Sequence, residues 1–154
     1  MGEFRRGVRL GIDPGKARVG VARCDRDGML AVPVETVPRD ERSVERIAEL
    51  VAEHEPIEIV VGLPLNLRGD DTPSTADARE FAAAVAARCA LPVRLVDERL
   101  STVTAHAALR QSGRTQKGSR KVVDQVAAVV LLQHAVDSEK TTGSPAGEPV
   151  PLPE

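Results

Sequence analysis

The sequence predicts an α/β fold, a mixed five-stranded sheet with helices on both faces. Three observations predict it. The chain opens with three short apolar runs separated by turn signals, beginning "RLGIDPGKARVGVA". Two later runs, "IEIVVGL" and "LPVRLVDE", each follow a segment of helical periodicity. The resulting order is β-β-β-α-β-α-β-α-α, an antiparallel meander that leads into helix-linked parallel strands.

Each element has a local reason. Val8 to Asp13 is the first strand, and "PGKA" turns the chain into the second, Arg18 to Cys24. "DRDG" is a turn signal, so Met29 to Val37 is the third. Asp40 or Ser43 can cap a helix whose apolar positions are Val44, Ile47, Ala48 and Val51, and Pro56 ends it. Ile57 to Leu63 is almost wholly apolar, as expected of a central strand covered on both faces. The polar loop "PLNLRGDDTP" follows. Ser74 with Asp77 suggests a capping box for a helix from Thr75 to Arg88, with Ala78, Phe81, Ala82, Val85 and Cys89 on one face. Residues 91–98 form the last strand. Thr102 to Gln111 reads as a short helix stopped by Gly113. Ser119 can cap a final helix that turns Val122, Val123, Val126, Ala127, Val130 and Leu131 inward. The four prolines after Gly143 predict a disordered tail that can be removed without loss of folding.

Composition narrows the class. The chain has 154 residues, 42% of them hydrophobic and 29% charged, enough for one globular domain. No apolar run has the length of a membrane span, and "MGEFRRGVRL" has no apolar signal core, so a cytoplasmic protein is expected. Cys24 and Cys89 form no CxxC pair, and His54, His106 and His134 lack ligand spacing. The net charge is −2, yet the stretch from Asp137 onward carries −3 of it, with four acids and one lysine. Within the rest, Arg110 to Lys121 holds five basic residues and no acid, a local patch suited to phosphates. There are two Phe and no Tyr or Trp, so base stacking on aromatic platforms is nearly excluded.

Three acids stand out against this frame. Asp13 ends the first strand, Glu98 ends the last, and Asp124 lies beside the inward stripe of the final helix. Ligands bind in open sheets at the carboxyl ends of the strands. Three carboxylates gathered there repel one another and call for cations, and Mg²⁺ or Mn²⁺ takes oxygen ligands of this kind. Two such ions about 4 Å apart can clamp a phosphodiester undergoing hydrolysis. Read singly, each acid has an ordinary explanation: a turn residue, a solvated strand end, a helix-surface charge. Their joint placement favours the metal site.

The stretches "LGIDPGKARVGVA", "IVVGLPLNLRGDDTPSTADARE", "VDERLST" and "DQVAAVVLLQ", in that order, resemble the YqgF/RuvX family. Its members are named as pre-16S rRNA nucleases and Holliday-junction-resolvase-like proteins of the ribonuclease H-like superfamily. The resemblance runs from about Val8 to Asp137. It implies that residues 1–138 are one ribonuclease H-like nuclease domain and that 139–154 are an appended acidic, Pro-rich tail. The family's acidic triad carries over to Asp13, Glu98 and Asp124, as both metal ligands and catalytic residues. Within or beside the same motifs, Lys16, Arg18, Asn66, Arg68 and Arg99 are candidate substrate contacts, with Arg114, Lys117, Arg120 and Lys121 from the basic segment.

The expected function is metal-dependent phosphodiester hydrolysis, with 5′-end maturation of precursor 16S rRNA implied by the resemblance. A junction-resolving DNA endonuclease is the alternative, and its paired cuts would call for a homodimer. An actin-like-fold, sugar-kinase-like ATP-binding protein also carries an Asp-x-Gly turn between strands, but it needs two lobes to clamp its nucleotide. A catalytically silent RNA-binding protein would have no reason to gather three mutually repelling acids.

Overall fold

The computed structural model describes residues 4–97 and 116–151, the side chains of 116–124 aside. The meander forms as the sequence predicts: β1 (Arg9–Pro14), β2 (Arg18–Cys24) and β3 (Ala31–Pro38) pair antiparallel in turn. Helix α1 (Ser43–His54) follows, then β4 (Glu58–Leu63), which pairs parallel with β1. Helix α2 (Pro73–Cys89) leads to β5 (Val93–Asp97), parallel to β4. Helix α3 (Gln116–Thr142) is the last. The short helix expected over 102–111 lies outside the described residues.

Two local starts differ from the sequence reading. Helix α1 has Arg42 at its N-cap position with no side-chain cap, while Ser43 Oγ accepts from the Asp40 N–H and donates to Pro38 O at 2.7 Å. In α2 the capping box is Thr72 with Thr75, and Pro73 occupies the first turn, where its missing N–H costs nothing.

The described residues form six strands, not five. Order across the sheet is β3-β2-β1-β4-β5-β6, where β6 is Glu148–Pro149, antiparallel to β5. This is also where the expected disordered tail from 139 gives way to order. Helix α3 continues to Thr142. The Val150 N–H then donates to Val93 O at 2.8 Å, and Arg94 donates to the carbonyls of Ala146 and Gly147, both at 2.7 Å. Proline is tolerated because β6 is an edge strand, whose outward positions need no donor. Ending the chain at Thr142 is therefore expected to lower stability by about 1–3 kcal/mol, from these hydrogen bonds and the covering of Val150. An unchanged thermal midpoint in the truncated protein would refute this.

Side-chain alternation divides the core. Leu10, Ile12, Val19, Val21, Ile59 and Val61 point to the face covered by α1 and α2, where Ile47, Leu50, Phe81 and Val85 meet them. Ala22, Cys24, Val60 and Val96 point to the other face, under Ala128, Leu131, Leu132, Ala135 and Val136 of α3. Helix α3 lies close. A Cβ on Gly11 would stand 2.7 Å from Leu132 Cβ and 3.1 Å from the Ala128 carbonyl oxygen, so only glycine fits there. The inward stripe of α3 thus runs further toward the C-terminus than periodicity alone suggested, and Val126 and Val130 are only half-buried.

Candidate functional site at the carboxyl edge of the sheet

Alternation along β1 sets the position of Asp13. Leu10 and Ile12 face α1 and α2, so Arg9, Gly11 and Asp13 face α3. The first two meet α3 in sequence. Arg9 Nη2 donates to Glu139 Oε2 at 2.9 Å, and Gly11 abuts Leu132 and Ala128. Advancing along β1 toward Asp13 therefore means moving back along α3 toward residue 124.

A second set of contacts gives the same direction. Gln133 Oε1 accepts from the Ala31 N–H at 2.8 Å, at the start of β3. Gln125 Nε2 donates to Thr36 Oγ1 at 2.8 Å, near its end. Thr36 is in register with Gly20, and Gly20 with Asp13. The turn of α3 that carries Gln125 is therefore on the cross-strand row of Asp13.

On the other side, β1 and β4 are paired through Ile12 and Val61, so the next pair is Asp13 and Gly62. Gly62 is in register with Val96. The three parallel strands end within one or two residues of this row, at Pro14, Leu63 and Asp97. Asp13 is half-buried at that edge. Glu98 follows Asp97 directly and, with Arg99 and Arg114, lies outside the described residues. Asp124, Lys117, Arg120 and Lys121 are in α3, with side chains outside the described set. Among the described residues, no group of three or more His, Cys, Asp or Glu side chains could hold a metal ion.

The turn after Asp13 is braced. The Gly15 N–H donates to Arg18 O at 2.9 Å, closing "PGKAR". Arg39, at the end of the meander, donates to Gly15 O at 2.9 Å through Nη1. Its guanidinium also grips both carboxylate oxygens of Asp77 on α2, at 3.0 and 2.9 Å, and stacks 4.5 Å over Phe81. Arg39 is a residue that sequence reasoning missed. Its partners are remote in the chain, and only Phe81 carried a recognisable core signal.

Of the remaining candidates, Lys16 is exposed in the turn and Arg18 is half-buried at the start of β2. Asn66 and Arg68 are both exposed on the loop after β4. Asn66 is engaged within that loop: its Oδ1 accepts from the N–H groups of Arg68 and Asp70, both at 2.9 Å. That is a turn-forming role.

Comparison with known proteins agrees with this architecture. A family model described as "RuvX: Holliday junction resolvase" matches residues 7–138. A relative from Leifsonia xyli subsp. xyli, named "Putative pre-16S rRNA nuclease", is 57% identical over 149 residues, covering 96% of each chain. One of the same name from Streptomyces coelicolor is 55% identical over 150 residues, covering 96% of this chain and 90% of its own. Among solved structures, RuvC of T. thermophilus in complex with a Holliday junction substrate superimposes with a TM-score of 0.56 at 19% identity, covering 90% of this chain and 98% of that one. The last similarity shows the fold.

Proposed function

The chain belongs to the RuvX family, and from that premise we propose that it is a metal-dependent nuclease acting in 5′-end maturation of precursor 16S rRNA. One observation carries the proposal. Asp13 faces α3 at the carboxyl edge of the sheet, on the row of the helix turn that contains Gln125. Asp124 is the residue before Gln125, and Glu98 is the residue after β5. Asp13, Glu98 and Asp124 are assigned as ligands of Mg²⁺ or Mn²⁺, two ions in all. An all-carboxylate set, with neither His nor Cys, suits these hard cations. When bound, such ions polarise the scissile phosphate and activate the attacking water.

The chain's other residues position the substrate. Lys16 and Arg18 follow Asp13 and offer charge to phosphates, as do Arg99 and Arg114 between β5 and α3 and Lys117, Arg120 and Lys121 in the first turns of α3. A cytoplasmic location follows from the substrate. The names of the relatives favour RNA, whereas the family description and the RuvC likeness favour branched DNA as the second reading.

The deciding experiment incubates the purified protein with labelled precursor rRNA, a four-way DNA junction and ATP, each with Mg²⁺, with Mn²⁺ and with excess chelator. Cleavage of the precursor that stops with chelator supports the proposal. Preferential cutting of the junction favours the resolvase reading. ATP hydrolysis without nucleic-acid cleavage overturns both.

Arg39 supplies a further test, as a positioning residue. Arg39→Met keeps the aliphatic stem over Phe81 but releases Gly15 and Asp77. Loss of comparable supporting hydrogen bonds typically costs about 10–100-fold in metal affinity or activity. The expected result is a fall in kcat with a raised Mg²⁺ requirement and little change in KM. Arg39→Lys should recover little, because a point charge cannot span both Asp77 oxygens. Wild-type metal dependence in Arg39→Met would remove it from this role.

A further inference from the structure

Two of the proposed metal ligands follow strands with unequal support. Asp13 ends β1, which pairs with β2 on one side and β4 on the other. Glu98 follows β5 directly, and β5 pairs with β4 on one side, through Leu63 and Asp97 at its end. Among the described residues, the other side of β5 is held only by the segment after α3.

That segment is built into the sheet. Gly143 follows the end of α3, and its N–H donates to Glu139 O at 2.8 Å. Ala146 packs against the cluster that contains Val60, Val96 and Val136. Arg94 of β5 clasps two successive carbonyls, Ala146 O through Nε and Gly147 O through Nη2. Gly147 has φ of +76°, and a Cβ there would collide with the Leu95 carbonyl oxygen and stand 2.8 Å from Val96 Cγ2. Glycine alone lets the chain pass this close. Glu148 and Pro149 then pair with Leu95 and Arg94, and Val150 lies on the opposite core cluster. Protecting an edge from stray pairing needs less than this, since a charge or a proline on the strand suffices. Here the lock falls on Leu95 and Val96, three and two residues before Glu98.

We propose that residues 143–151 are a strap that fixes the carboxyl end of β5, with Arg94 as its positioning residue, so that the strap sets how tightly the site holds its metal ions. Ligands lose metal affinity when their supports loosen, even though none of them is removed. This rests on the nuclease reading and adds to it a segment beyond residues 7–138, the span of the family likeness.

The test compares wild type with Gly147→Ala, Arg94→Met, Arg94→Lys and a chain ended at Thr142, at a temperature where circular dichroism shows all of them folded. Arg79→Met is the control, because it breaks only the exposed pair of Arg79 with Glu148. Three quantities are read: amide hydrogen exchange at Leu95 to Asp97 without metal, Mn²⁺ affinity by calorimetry without nucleic acid, and cleavage of labelled precursor rRNA and of a four-way DNA junction across a Mn²⁺ titration. Gly147→Ala, Arg94→Met and the truncation should speed exchange and weaken Mn²⁺ binding about tenfold, as loss of support to metal ligands does. The Mn²⁺ midpoint of cleavage should move by the same factor, with kcat at saturating Mn²⁺ and KM for nucleic acid close to wild type. Arg94→Lys should recover part of the loss, since a lysine can serve one carbonyl but not both. A protein that is merely less stable would lose activity at every Mn²⁺ concentration with its midpoint unmoved. That pattern, or wild-type Mn²⁺ affinity in the truncated chain, would overturn the strap and leave the nuclease reading standing. If wild type neither binds Mn²⁺ nor cleaves either substrate, the nuclease reading falls and the strap falls with it.

Discussion

Asp13→Asn is expected to abolish cleavage, lowering kcat by at least about 10³-fold, as removal of a member of a cooperating catalytic group does. The substitution keeps shape and removes charge. Asp13 sits at the end of a strand anchored on both sides, by β2 and by β4, so the edge should keep its form. Glu98→Gln and Asp124→Asn should behave alike if the three form one site. A second readout separates catalysis from folding. Without metal, carboxylates at one edge repel, and removing one relieves that repulsion. Thermal midpoints in chelator should therefore be equal to or above wild type in all three variants. Saturating Mn²⁺ should stabilise wild type through binding to the folded state alone, and that gain should be reduced or lost in the variants. A variant that keeps wild-type turnover removes its residue from the site.

Glu139 should produce the largest loss of stability. It is 3% exposed, near the C-terminal end of α3, and receives Arg9 Nη2 at 2.9 Å and Arg5 Nη2 at 2.7 Å. Arg9 is itself 2% exposed, and its Nη1 has no hydrogen-bond partner among the described residues. Glu139→Ala leaves the Arg9 charge buried without its carboxylate. Breaking a buried pair from one side typically costs about 3–5 kcal/mol, here a fall in thermal midpoint of about 10 °C. Replacing both partners, Arg9→Met with Glu139→Leu, should recover much of that loss, because no desolvated charge remains. A fall in the double variant as large as in the single one would show that shape, not charge, sets the cost.

The same carboxylate predicts an acid limb. Burial pushes the Glu139 carboxyl upward, but hydrogen bonds from Arg5 and the charges of Arg9 and Arg5 outweigh it and hold it below the ordinary carboxylate value. A depressed carboxyl contributes its full stability above the unfolded value, near 4.5, and loses it as pH falls through the folded one. Wild type should thus lose stability below about pH 4.5, and Glu139→Gln should lose less over that interval.

The strand order was legible because its signals are local. "IEIVVGL" can be little other than a strand covered on both faces, and all six residues of β4 are buried. "DPGKAR" between Val-rich runs makes a hairpin, and that placed Asp13 at a rim before any contact was known. What escaped depends on distant partners. Pro149 and Pro151 made the end of the chain look disordered, and nothing nearby reveals that an open edge of β5 awaits them. Arg39 reads as one more charge in "PRDERS" until Asp77 and Gly15 are brought to it. The start of α2 did carry a local sign, Pro73 at the first turn, which outweighs the Ser74–Asp77 pattern.

The close seat of α3 on Gly11 also has a consequence for how the protein is made. The three strands of the meander leave the ribosome first, yet Ala22 and Cys24, on the face opposite α1 and α2, are covered by a helix that begins at Gln116. At about 5–20 residues per second, that face waits several seconds for its cover. During this interval the nascent chain presents an apolar sheet face that α3 has yet to cover. The groove beside Gly11 stays open until α3 has been made.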